Sequence, residues 1–197
     1  MARPREFDPQ AALQIAIQVF WEKGYYGTSV DEVVKRSGVA KYGIYGTFGP
    51  KRELFKKALK QYTADRHRDI QSPIRQAGAS LPEVQAFFAN VPNRITQEGF
   101  PHGCLVCSIG IEVGFRDPEI NTFVKDFFAD VARVLKGCLT RAVEKGELDL
   151  DTQGGKDMDD LANYLTTEFR TALMLARSGH TAQEIQNHLN FALRVLR

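Results

Sequence analysis

Apolar residues recur at threes and fours along almost the whole chain, the spacing of one helical face, and no stretch alternates as a half-buried strand does. Leu13, Ala16, Ile17, Phe20 and Trp21 predict a first helix. Asp8-Pro9 supplies its start, a capping acid followed by proline at the first helical position, and Lys23-Gly24 its end. After the loop Tyr25-Tyr26-Gly27, Val30, Val33 and Val34 predict a short second helix, which Thr28 or Ser29 can cap. Asp31 and Glu32 lie in its first turn, where the helix dipole favours acids, and Gly38 stands where a left-handed residue would end it. A third helix is expected from about Ala40 to Thr47, with Ile44 and Phe48 turned inward. Gly49-Pro50 stops it and opens a fourth, whose apolar face (Leu54, Phe55, Ala58, Leu59, Tyr62) continues to about Asp69 before Ser72-Pro73 ends the helix.

The second half repeats this grammar. Val84, Phe87, Phe88, Val91 and Ile95 predict a helix from Leu81 to about Glu98, kinked at Pro92 because proline removes a helical hydrogen bond. Asp117-Pro118 opens a long helix whose stripe runs from Ile120 to Ala142. A further helix starts at Asp157 or Asp159 and carries Leu161, Tyr164, Leu165, Ala172 and Leu175. Thr181 and Glu184 form a capping box before the last one. The chain is therefore expected to be all-α. Its final two amphipathic helices fit a self-complementary four-helix dimer seam, or would equally close the core of a monomer.

The second and third helices, with the tight turn between them, read as a helix-turn-helix. Lys41, Tyr42, Gly43, Tyr45, Gly46 and Thr47 are expected to face outward, a surface of lysine, tyrosine, threonine and bare backbone that suits a DNA major groove. An ordinary helical hairpin with a solvated face has the same spacing, so charge placement matters. Net charge is only +2 over 197 residues, but residues 1–68 carry 13 Lys/Arg against 7 Asp/Glu, and the remainder is acidic overall. A basic front suggests a polyanion partner at one end. Lys51, in the first turn of the fourth helix, would pair with free backbone N–H groups there as a phosphate clamp. Arg3 and Arg5 precede the first helix on a short arm, which would touch DNA or simply fray.

An apolar share of 43% supports a real core, and no apolar run is long enough to span a bilayer. The opening M-A-R-P-R-E-F-D-P lacks the apolar segment of a signal peptide, so a cytoplasmic protein with no membrane partner is expected. Three cysteines do not make a disulfide framework. Cys104 and Cys107 form a C-x-x-C, with His102 two residues before it. The pair reads as small buried core residues, as a thiol sensor favoured by a helix N-terminus, or as part of a metal site. It does not supply the four ligands of structural zinc, so no metal and no cofactor is assigned. Phe88, Phe127, Phe128 and Tyr164 are candidates to line an apolar ligand pocket, though an aromatic stripe of this kind is more often simply core, and Glu168 or Arg170 would hold a polar group of a ligand unless exposed or paired at an interface, the commoner case. Nothing orders a nucleophile, a base and an orienting group, and no glycine-rich nucleotide loop follows a strand, so an enzyme is not expected.

The run from Gly24-Tyr25 through Thr28-Ser29, Gly38-Val39, Ile44-Tyr45 and Phe48-Gly49-Pro50-Lys51 to Leu54-Phe55 resembles the N-terminal domain of TetR/AcrR-type transcriptional regulators, over about Phe7 to Tyr62. The resemblance implies a helix-turn-helix DNA-binding domain, here residues 1–50, followed by a helical ligand-sensing and dimerisation domain, residues 51–197. It implies a homodimer on a palindromic double-stranded operator, released by a small-molecule inducer that it does not identify. Thr28, Tyr45 and Lys51 match the family's phosphate contacts, with Ser29 beside them, and Lys41, Tyr42, Gly43 and Thr47 fall in its recognition helix. Gly46 departs from the histidine-like side chain common there. The G-C-L element at Gly103-Cys104-Leu105 resembles a subgroup with electrophile- and redox-responsive repressors, Cys104 matching the sensing cysteine. The alternative function is thus a thiol-sensing repressor. Cys107 is a departure, and leaves open whether Cys104 acts alone, pairs, or does no chemistry.

Overall fold

The computed structural model describes residues 7–97, 103–149 and 157–196. The arm with Arg3 and Arg5, His102 and the end expected near Glu98 lie outside them. Every regular element among the described residues is helical, as the periodicity requires.

The first four helices are α1 (Pro9–Gly27), α2 (Val30–Ser37), α3 (Lys41–Phe48) and α4 (Lys51–Asp69). Asp8 caps α1 by accepting the Gln10 N–H at 2.8 Å. Gly24 breaks α1, with φ 74° and ψ −178°, a left-handed conformation that a side chain would strain. Helix α4 stops at Asp69, three residues before Ser72, and Pro73–Arg75 forms a separate 3-10 turn. Ile74 of that turn is buried, which draws the chain inward earlier than proline alone would.

The remaining helices are α5 (Leu81–Ile95), α6 (Leu105–Glu112), α7 (Pro118–Glu144), α8 (Met158–Arg177) and α9 (Ala182–Ala192), with a closing 3-10 turn at Leu193–Leu196. Helix α5 runs unbroken through Pro92 and ends one turn later, where the Thr96 N–H reaches the Pro92 carbonyl at 3.2 Å. A proline one turn from the end leaves little helix beyond it to redirect. Helices α7 and α8 pair along their lengths, and α1 packs on both α4 and α6. Phe20 and Phe55 meet edge to face at 4.9 Å in the centre of the first four helices. Both are fully buried, and truncating either to alanine would cost about 3–5 kcal/mol.

Candidate nucleic-acid interface and sensor site

Ser29 caps α2, its hydroxyl accepting the Glu32 N–H at 3.1 Å. Thr28 does not. Only 2% exposed, it donates its hydroxyl to the Gly24 carbonyl at 2.7 Å and thereby clamps the break in α1. Its side chain is withdrawn from the surface where a phosphate contact was expected. Gly38 takes the left-handed conformation (φ 67°) that ends α2. Ile44 and Phe48 are buried, which turns Tyr42 (74% exposed), Tyr45, Gly46 and Lys41 outward. Lys41 bonds Asp31 across the turn at 2.7 Å, and that hydrogen bond raises its pKa. Gly43 corrects the sequence reading: a Cβ there would lie 3.1 Å from Phe7 and 3.2 Å from Val39, so this bare stretch receives Phe7 and is not presented outward. Thr47 is half-buried, and its carbonyl accepts Lys57 Nζ at 3.1 Å, a cation on the negative end of α3.

Lys51 begins α4 beside this face. Its ammonium sits 4.6 Å from the Tyr25 ring centroid. Burial lowers its pKa, and the Glu112 carboxylate opposes that shift. Glu112 is the last residue of α6 and its sole charged one. It accepts the Tyr25 N–H at 2.9 Å and the Tyr26 N–H at 2.7 Å, two amides exposed by the break at Gly24. A Cβ at Gly24 would collide with the same carboxylate, so glycine is required by the approach as well as by the turn. A second ionic seam lies alongside. Arg52 reaches Asp117 at 3.2 Å and Glu119 at 2.6 Å, and Lys56 reaches Glu119 at 2.7 Å. The sequence reading missed Glu112, Arg52, Lys56 and Glu119. A lone acid closing the otherwise uncharged L-V-C-S-I-G-I-E was the available signal for Glu112.

Cys104 is the N-cap of α6 and is buried. The Tyr62 hydroxyl of α4 accepts the Leu105 N–H at 3.2 Å and bonds the Cys104 thiol. Burial pushes that thiol up, but hydrogen bonds from Cys107, Tyr62 and the Val106 backbone outweigh it and hold the pKa lowered to about 7. Cys107 moves the opposite way, raised by its bond to Cys104 and then by burial. Cys138, also buried, donates to the Ile74 carbonyl at 3.3 Å, away from this pair. Among the described residues no group of three or more His, Cys, Asp or Glu could hold a metal.

A cavity of about 470 Å³ opens between α6, α7 and α8. Cys107 and Phe128 are among its lining residues, and Cys104 is not. Phe88, Phe127, Tyr164 and Glu168 are not among its lining residues. Phe88 is locked edge to face against Phe87 in the core, and Phe127 against Phe128. Tyr164 is half-exposed elsewhere on α8, and Glu168 pairs with His188 of α9 at 2.6 Å. Helical periodicity marked these as one face without saying which neighbour each would meet.

Residues 12–58 match the bacterial regulatory proteins of the tetR family, and residues 80–191 match the tetracyclin repressor-like C-terminal domain. The chain belongs to the TetR family. Its TetR-family relatives include the uncharacterized helix-turn-helix regulator YezE of Bacillus subtilis, 28% identical with both chains fully covered. The transcriptional repressor ComR of Escherichia coli is 25% identical, covering 98% of this chain and 90% of its own. Among solved structures, a cysteine-substituted TetR-family regulator CifR, in complex with a 26-bp operator duplex, superposes with TM-score 0.87 at 25% identity over the full length of both chains.

In this TetR-family regulator the expected residues form two groups. Lys41, Tyr42 and Tyr45 share the outer side of the helix-turn-helix with Ser29, and Lys51 adjoins them. Cys104 and Cys107 sit at the other end of the molecule's internal link, where α6 begins. A member of this family is a DNA-binding transcriptional regulator and not an enzyme. Among the described residues no helix is long and apolar enough to cross a membrane.

Proposed function

We propose that this chain is an operator-binding repressor, acting as a homodimer in the cytoplasm and released from DNA by a small-molecule inducer. Residues 1–50 hold the DNA, through Tyr42, Lys41 and Thr47 in the groove and Ser29 and Tyr45 at the phosphates, and Lys51, the first residue of the next domain, adds a phosphate contact. Residues 51–197 sense and dimerise. The observation that carries this reading is α6, which starts at the cysteine pair beside a cavity and ends with Glu112 bound to the Tyr25 and Tyr26 amides. A shift of α6 therefore reaches the recognition unit directly. Bound operator in the CifR structure and repressor activity in ComR support the assignment. The test is operator binding by two variants. Lys51→Ala should weaken binding to all duplexes and reduce the salt slope by about one counterion. Tyr42→Ala should reorder the preference among operator variants. An unchanged ranking would place the recognition surface elsewhere.

A second reading, thiol sensing, is favoured by the environment of Cys104. The thiolate would add across the double bond of an electrophile such as N-ethylmaleimide, forming one C–S bond, and the resulting carbanion would take a proton from water. Added bulk between α4 and α6 would then disturb the Tyr62 contact. Cys104→Ser should bind operator normally and no longer be released by the maleimide. Release that persists in this variant ends the thiol reading.

A further inference from the structure

We infer that the cavity between α6, α7 and α8 is a binding site for an organic anion, a carboxylate carried on an apolar body. This names the class of inducer and so builds on the repressor reading, but the binding itself needs no DNA.

The lining explains the chemistry. One helical row of α7 and one of α8 face each other across the opening, at i, i+4 spacing for Asn121 and Lys125 and at i, i+4, i+7 spacing for Asn163, Thr167 and Arg170. Lys125 and Arg170 are the charged lining residues, and no aspartate or glutamate lines the cavity among the described residues. Some surface cations are matched with acids, as Arg36 is with Glu22 and Lys136 with Asp159. Among the described residues neither Lys125 nor Arg170 has an ion-pair partner. Two unmatched cations from different helices thus converge on one concave space. Arg170 is also held in place, its guanidinium stacked 4.5 Å from the Phe128 ring centroid. A planar carboxylate fits the guanidinium fork, and Asn121 and Asn163 add amide donors.

Beside the two cations the lining is apolar, with buried Val124 and Phe128 and the half-exposed Met174. The floor is α6 at Cys107 and Gly110, drawn so close to α7 that a Cβ on Gly110 would lie 3.1 Å from Val124. A volume of about 470 Å³ lies within the range of small-molecule sites, about 300–1,000 Å³. Because Cys107 is both floor and hydrogen-bond partner of Cys104, an occupant presses on the start of α6. The far end of that helix is Glu112.

The experiment is calorimetric titration of the full chain with benzoate, 4-phenylbutyrate and octanoate against benzamide and octanamide. The acids should bind about tenfold tighter than the amides of the same shape. Arg170→Gln and Lys125→Gln, both at exposed positions, should remove that preference, and Lys136→Gln, paired outside the cavity, should keep it. Acids and amides binding alike, a preference that survives both variants, or no binding by any probe would each overturn the inference. Acids that bind as described without changing operator affinity would leave the anion site standing and remove the inducer reading.

Discussion

Cys104 and Cys107 are three residues apart and hydrogen-bonded, yet their protons are held in opposite ways. Cys104 receives donors from Cys107, Tyr62 and the helix start, which stabilise the thiolate, and its pKa is lowered to about 7. Cys107 gives its hydrogen bond away and is raised. In the maleimide experiment the rate should climb as pH rises through about 7, below the value of about 8.5 for a free cysteine. The sign for stability follows from the lowered value. The thiolate's contribution is complete above the free-thiol range and is lost as pH falls through about 7. Thr28 shows what sequence alone leaves open at this scale. Adjacent threonine and serine could each cap α2. The choice was made by the break at Gly24, whose carbonyl needed a donor and took the Thr28 hydroxyl.

At the scale of elements, helix faces and caps were legible because they are local. Asp8, Ser29, Gly38 and the Thr181–Glu184 box all act within a few residues of themselves. What arrives against a face is not local. Gly43 faces Phe7 from before α1, and Phe88 is packed by Phe87 and not by a cavity. The Glu112 link spans 87 residues of sequence to Tyr25, beyond the reach of periodicity. Its worth can be bounded. Hydrogen bonds to a charged acceptor contribute about 1.5–3 kcal/mol, and Glu112→Gln would retain one acceptor oxygen and turn an amide N–H₂ toward the other donor. The variant should be destabilised by about 1–3 kcal/mol in denaturant unfolding. More tellingly, if α6 couples the cysteines to the DNA-binding helices as proposed, the ratio of operator affinities with and without maleimide should fall toward one. A ratio equal to that of the native chain would show that the coupling runs instead through the Arg52–Asp117–Glu119 seam.

Across the whole molecule, net charge is unevenly placed. The N-terminal third is basic, which would steer the proposed recognition face to DNA and make binding steeply salt-dependent. Helices α8 and α9 leave Tyr164 and Phe191 exposed, apolar surface that a second copy would cover. A two-fold dimer of this kind would set its two recognition helices about one DNA turn apart, about 34–36 Å, so that a tilt of α4 spoils the fit to both half-sites together. The most direct test of this account is fluorescence anisotropy of a duplex from just upstream of the protein's own gene, titrated with reduced protein across a salt series and read for stoichiometry. The account predicts saturable binding well above that to a scrambled duplex, an even number of chains per operator, and affinity that falls steeply with salt. Equal binding to operator and scrambled DNA across upstream fragments, or a single chain per site, would contradict it.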